Sequence, residues 1–143
     1  MKTIRQILAG KPGIFTVTSR ATVYEALGLM AAKNIGALLV VEEGRLVGIF
    51  SERDYARKIA LLGKSSHDTP VAEIMTTKVV TIEPDRNAGE CMALMTEKRI
   101  RHLPVMENGR LVGVISIGDV VRAVVEEQAF TIKQLESYIA SGG

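Results

Sequence analysis

Two pairs of side chains carry the first hint of chemistry. Ser51 and Asp54 close the run Gly44-Arg45-Leu46-Val47-Gly48-Ile49-Phe50-Ser51-Glu52-Arg53-Asp54, and Ser116 and Asp119 close the run Gly109-Arg110-Leu111-Val112-Gly113-Val114-Ile115-Ser116-Ile117-Gly118-Asp119. The runs lie 65 residues apart and share one grammar. A Gly turn leads into a short apolar stretch that suits a buried strand, a Ser ends it, and an Asp follows three residues on. A Ser at a strand-to-helix corner accepts from a free N–H of the first helical turn, and the acidic residue completes a capping box. The same atoms suit a ligand. A helix N-terminus attracts phosphate, and a carboxylate can accept from both hydroxyls of a ribose, as in dinucleotide folds. Helix cap and ribose-phosphate holder both remain open on these residues alone, but recurrence at one place in two repeats weakens the purely structural reading.

The elements that must position these pairs also repeat. Residues 3–8 read as a short amphipathic helix, broken by Gly10-Lys11-Pro12-Gly13. Ile14–Thr18 reads as a strand, residues 23–33 as a helix capped by Thr22 or Ser19, and Ala37–Val41 as an apolar strand. A Gly turn leads to the strand Leu46–Phe50, and Ser51 opens a helix to about Leu62. The polar stretch 63–69 reads as a linker, and Pro70 starts a short helix, Val71–Met75, that echoes residues 3–8. The second copy keeps register without a gap: Glu25 matches Glu90, Met30 matches Met95, Lys33 matches Lys98 and Val40 matches Val105. One copy has a thin core, so the two are expected to pack as halves of one domain. The boundaries are 3–62 for the first repeat with its leading helix, 63–69 for the linker, 70–127 for the second repeat and 128–143 for a C-terminal helical extension. In the last helix Val124, Gln128, Ile132, Leu135 and Ile139 recur at helical spacing to about Ala140. It either folds onto its own domain or makes a dimer contact.

Composition excludes several classes. The 143 residues carry a net charge of +2 with 47% hydrophobic and 24% charged content, which is globular rather than disordered. No basic run is long, and aromatics for base stacking are scarce at 4%, so nucleic acid is not an expected partner. The lone Cys91 falls at a helical position and reads as a buried apolar residue. No apolar run reaches membrane-spanning length, and the charged start does not resemble a signal peptide, so a cytoplasmic protein is expected. There is no metal-ligand cluster, no G-x-S-x-G elbow, no P-loop and no G-x-G-x-x-G, and no catalytic activity is expected.

At these motifs the sequence resembles the cystathionine-β-synthase (CBS) domain family, as a stand-alone tandem pair, or Bateman module. Val23-Tyr24-Glu25-Ala26-Leu27, Ile100-Arg101-His102-Leu103-Pro104-Val105 and Ala72-Glu73-Ile74-Met75-Thr76 support the match, which covers roughly residues 3–125. The resemblance implies an α+β fold: two repeats, each strand-helix-strand-strand-helix, packed with pseudo-twofold symmetry. It implies regulatory binding of an adenosine ligand (AMP, ADP, ATP, NAD or S-adenosylmethionine) in the cleft between the repeats, with no catalytic cofactor. By the same resemblance Asp54 and Ser51 serve one site, and Asp119 and Ser116 the other. The adenine falls to Ile14, Phe15 and Thr16 for the Asp119 site and to Val79, Val80 and Thr81 for the Asp54 site, with Ile49 and Val114 beside them. The halves differ in cations, since Arg101-His102 stand where the first repeat has Gly36-Ala37, and Arg53 stands where the second has Gly118. Arg53, Arg101 and His102 are therefore the candidate phosphate contacts. Family members commonly pair through their helices, so a homodimer is expected, with an unknown regulated protein as partner. The competing reading is an interaction adaptor with vestigial nucleotide sites.

Overall fold

Each Gly turn of the repeat closes a β-hairpin in the computed structural model, which describes residues 1–142. β2 (Ala37–Glu42) pairs antiparallel with β3 (Arg45–Ser51), and β4 (His102–Glu107) pairs antiparallel with β5 (Arg110–Ser116). Glu43-Gly44 and Asn108-Gly109 hold positive φ at both turn residues, the two-residue turn whose twist matches its strands. The registers are equivalent: Ala37 faces Ser51 and His102 faces Ser116, and each ladder shifts once, at Val40/Val41 and at Val105/Met106.

β1 (Thr16–Val17) adds in parallel along the free edge of β2, in the order β1-β2-β3. Only these two residues of the expected strand Ile14–Thr18 pair, opposite Leu39 and Val40. In the second repeat Ile82 makes the equivalent parallel bridge to Val105. α2 (Val23–Lys33) and α4 (Ala88–Lys98) bury matching stripes: Val23, Ala26 and Met30 on one, Ala88, Cys91 and Met95 on the other. Cys91 thus stands where the first repeat has Ala26, and burial pushes its thiol up to about 11, helped by the charge of Asp119. Beneath α2 lie Leu38, Val40, Phe50, Ile59, Val71 and Ile74. Leu103, Val105 and Ile115, the counterparts of Leu38, Val40 and Phe50, are fully buried in the second repeat, as is Val120.

Thr22 caps α2, its hydroxyl accepting from the Glu25 N–H at 3.1 Å, while Ser19 bonds Glu42 instead. α3 (Glu52–Tyr55) continues as a wider, i→i+5 turn through Ala60, with the Leu61 N–H on the Ala56 carbonyl at 3.1 Å. The helix therefore stops short of Leu62. The polar stretch 63–69 is packed onto α2. The carbonyls of Thr69 and Ser66 accept from the Val23 and Tyr24 N–H groups at 2.9 and 3.0 Å, and His67 stacks on Tyr24. These bonds satisfy first-turn donors that a helix leaves open.

The described residues divide into two compact units, Gly13–Val80 and Met1–Pro12 with Thr81 onward. α1 (Ile4–Ala9), opened by a Thr3–Gln6 capping box, lies with the second repeat rather than the first. The Ile4 N–H bonds the Arg86 carbonyl at 2.8 Å, the Ala88 N–H bonds the Lys2 carbonyl at 2.9 Å, and Arg5 pairs with Asp85 and Glu107. The lead-in of the second repeat, a single turn at Val71–Glu73, joins the first in the same way. Ile49 and Thr76 exchange both backbone hydrogen bonds, at 3.0 and 2.8 Å. Each sequence repeat of the expected 3–62 and 70–127 kind thus donates its leading segment to the other's unit.

α5 (Ile117–Ala140) runs the full length expected, but every residue from 128 to 140 is exposed. The first part of α5 packs on its own unit through Val120 and Ala123, but the 128–140 stretch does not fold back onto it. Among the described residues no helix is long and apolar enough to cross a membrane.

The two turns make an internal comparison. Asn tolerates the left-handed φ that Glu43 adopts, as Asn108 does in the matching turn. Glu43→Asn is expected to stabilise the chain by about 0.5–1 kcal/mol, read as a higher urea midpoint at unchanged slope.

Candidate functional site

Both Ser–Asp pairs form where a buried strand hands over to a helix. Ser51 ends β3, and its N–H and hydroxyl both donate to Asp54 Oδ2, at 2.9 and 3.1 Å, while its hydroxyl also receives the Asp54 N–H at 3.3 Å. Asp54 is buried. Its other oxygen, Oδ1, accepts from Thr76 Oγ1 at 3.1 Å and pairs with Lys58 Nζ at 3.1 Å. Lys58 is itself held by the Ile74 carbonyl at 2.9 Å. In the other unit the Ser116 N–H donates to Asp119 Oδ2 at 2.8 Å, and the Asp119 N–H to Ser116 Oγ at 3.1 Å. Lys11 Nζ pairs with the same Oδ2 at 2.6 Å and donates to the Val114 carbonyl at 2.9 Å. Burial alone would raise the Asp119 carboxyl, but the Lys11 ammonium and the Ser116 N–H outweigh it and hold the group below its ordinary range.

The lead-in segments reach these carboxylates because the strands let them close in. A Cβ on Gly48 would meet Met75 Sδ at 2.6 Å and the Thr76 carbonyl at 3.1 Å. A Cβ on Gly113 would meet both methyls of Leu8 at 2.8 Å. Lys11 and Thr76 are counterparts at the 65-residue offset, and so are Lys58 and Ala123. One lysine therefore serves each carboxylate, but from a different element: the lead-in at Asp119, the helix at Asp54. Sequence reading missed all three partners. Lys58 was visible as an i,i+4 partner of Asp54. Lys11 and Thr76 were not, because their signal lies in the exchanged lead-ins.

The other candidates fall around these corners. The Ile117 N–H bonds the Arg101 carbonyl at 2.8 Å, as the Glu52 N–H bonds Gly36 at 3.1 Å, so His102 sits beside Ser116. Burial holds the His102 imidazole below its ordinary pKa, with Lys11 and Arg101 acting the same way against the pull of Asp119. Arg53 and Arg101 are exposed at the two corners. Ile49 joins the Asp54 corner through its backbone pair with Thr76, and Val114 joins the Asp119 corner through its carbonyl. Ile14 and Thr16 are exposed, and Phe15 is half-buried with the Lys33 ammonium 5.1 Å from its ring centre. Val79 and Val80 are half-buried and, like Ile14–Thr16, belong to the unit of Asp54, whereas exposed Thr81 belongs to that of Asp119. Among the described residues no group of three or more His, Cys, Asp or Glu could hold a metal ion.

The CBS domain profile matches residues 4–61 and 71–126. The chain belongs to the CBS domain family. It is 46% identical over 130 residues to the mitochondrial CBS domain-containing protein CBSX3 of Arabidopsis thaliana, covering 87% of this chain and 63% of that protein. A protein with CBS domains from Burkholderia ambifaria superposes with a TM-score of 0.86 at 54% identity, over 89% of this chain and 96% of that one. The CBS domain pair of protein MJ0100, solved with 5′-methylthioadenosine and S-adenosyl-L-methionine, superposes with a TM-score of 0.78 at 27% identity, over 89% of this chain and 98% of that one. The mixed helix-strand fold and the two CBS repeats expected from the sequence are both present.

Lys11→Met leaves a half-buried carboxylate short of its cation. A loss of about 1–3 kcal/mol is expected at pH 7. The folded-state pKa of Asp119 is depressed in the wild type, so its contribution is present above the unfolded carboxylate range and is lost as pH falls through the folded value. The gap between wild type and variant in urea unfolding should therefore narrow below about pH 4.

Proposed function

We propose that this CBS pair is a regulatory module that binds adenosine-containing ligands at two unequal sites, Ser51/Asp54 and Ser116/Asp119. The observation that carries the reading is the double recurrence of a strand-to-helix corner where a Ser, an Asp and a lysine converge. A similar CBS pair, that of MJ0100, was crystallised with two such ligands. Asp54 and Asp119 take the ribose hydroxyls, Ser51 and Ser116 take ribose or phosphate, and Arg53, Arg101 and His102 take phosphate. Ile14, Phe15, Thr16, Val79, Val80, Thr81, Ile49 and Val114 supply the apolar and backbone contacts to adenine. AMP, ADP, ATP, NAD and S-adenosylmethionine are the ligands to compare. The module acts as a homodimer without catalysis, and the ligand shifts conformation or partner only as far as its affinity differs between the two states.

One observation favours the second reading, a structural adaptor. Ser51, Thr76 and Lys58 already occupy both oxygens of Asp54, which is what a purely architectural carboxylate looks like. Thermal melting separates the two. A ligand at 100 times its Kd adds about 2.7 kcal/mol, roughly 5–10 °C at this size. Adenine ligands are expected to raise Tm, and Asp54→Asn with Asp119→Asn to abolish the rise. No shift with any of them returns the adaptor.

His102 gives the pH dependence its sign. Burial, with Lys11 and Arg101, holds its pKa below the ordinary imidazole value, so charging it requires a lower pH than an exposed His would need. Titration calorimetry should show phosphate-bearing ligands tightening as pH drops from 7.5 towards 5.5, and His102→Gln should flatten that slope. A flat wild-type profile removes His102 from the phosphate site.

A further inference from the structure

The last helix carries a pattern that its own unit does not use. Along α5, Val121, Val125, Gln128, Ile132, Leu135 and Ile139 are spaced four, three, four, three and four apart. That is the seam of a coiled coil, with β-branched Val125, Ile132 and Ile139 at one seam position and Val121, Gln128 and Leu135 at the other. A helix meant to lie on a globular core shows a broader apolar face. Here the seam is bare: Val125 is 56% exposed, Ile132 57%, Leu135 57% and Ile139 74%. The spacing is that of a helix meeting another helix of the same repeat over about 28 Å.

We infer that α5 pairs antiparallel with α5 of a second copy of this chain. This rests on the homodimer of the proposed function and names the element that makes it. The flanking positions choose the direction. With the twofold axis level with Phe130, Val125 meets the partner's Leu135, Gln128 the partner's Ile132, and Val121 the partner's Ile139. The same alignment sets Arg122 against the partner's Glu136, twice by symmetry, and Ala129 against the partner's Ala129, where small side chains let the helices approach. Neither Arg122 nor Glu136 has an ion-pair partner among the described residues, and both are exposed. A parallel pair places Gln128 against the partner's Gln128 and leaves Arg122 with no acidic group opposite. One self-complementary patch, used by both copies, closes the assembly at two.

Sedimentation of the whole chain at micromolar concentration tests the pairing. A dimer is expected, and Ile132→Asp with Leu135→Asp should give a single chain of unchanged circular dichroism. Arg122→Glu or Glu136→Arg alone should weaken dimerisation by about tenfold, and the two together should restore it. Val121→Cys mixed with Ile139→Cys should cross-link under oxidation, while Val121→Cys alone should not; Cys91 is fully buried and stays out of the reaction. A monomeric wild type overturns both the homodimer and its seam. A dimer that survives Ile132→Asp with Leu135→Asp leaves the homodimer standing and overturns the seam. Cross-linking of Val121→Cys to itself, without the mixed product, overturns the antiparallel direction.

Discussion

The close approach of a lead-in segment to a bare glycine is the constraint on which both corners depend. At Gly48 and at Gly113 the backbone of the second hairpin strand leaves no room for a Cβ, and Met75 or Leu8 fills the space. That contact fixes where the lead-in runs past the strand end. It thereby delivers Thr76 to Asp54 and Lys11 to Asp119. Without it each carboxylate would keep its serine cap but lose its long-range partner. A partly buried carboxylate without that partner is costly. The packing of two apolar side chains against glycine is thus coupled to the hydrogen bonding of two carboxylates.

The same architecture gives the duplicated corners different characters. Asp54 is the more buried of the two, and its oxygens are divided between Ser51 on one side and Thr76 with Lys58 on the other. Asp119 concentrates its partners on a single oxygen and sits among Lys11, His102 and Arg101. Moving the lysine from helix to lead-in keeps local charge balance while changing the direction from which the cation arrives. An anionic ligand entering the two corners therefore meets positive charge at different places.

Much of this was legible in the sequence because it is local. The hairpin turns, the helix caps at Thr22, Ser51 and Ser116 and the length of α5 all follow from near-neighbour rules, whereas the buried stripe of α2 was legible only at Val23 and Met30: Ala26 is buried in place of the expected Leu27 and Ala31, which are half-buried and exposed. What stayed hidden is non-local. Nothing in residues 1–12 says that they join residues beyond 81, so Lys11 read as part of a helix-breaking loop. The stretch 63–69 has the composition of a linker, yet two of its carbonyls close the start of α2. Composition reports side-chain polarity, and here the backbone makes the contact. The exposed seam of α5 was visible as a spacing, but its freedom from the globular unit was not.

The exchanged lead-ins have a consequence for how such a gene can be rearranged. The self-contained segment of the chain is 13–80, and the other unit is assembled from the two pieces that flank it. Topologically, one body is an insertion within the other. A cut in the 63–69 stretch, where the duplication itself has its seam, would leave each product carrying a lead-in that fits the half it no longer has. Chimeras that swap halves between relatives should therefore be spliced near residues 12 and 80, at the borders of the inserted body.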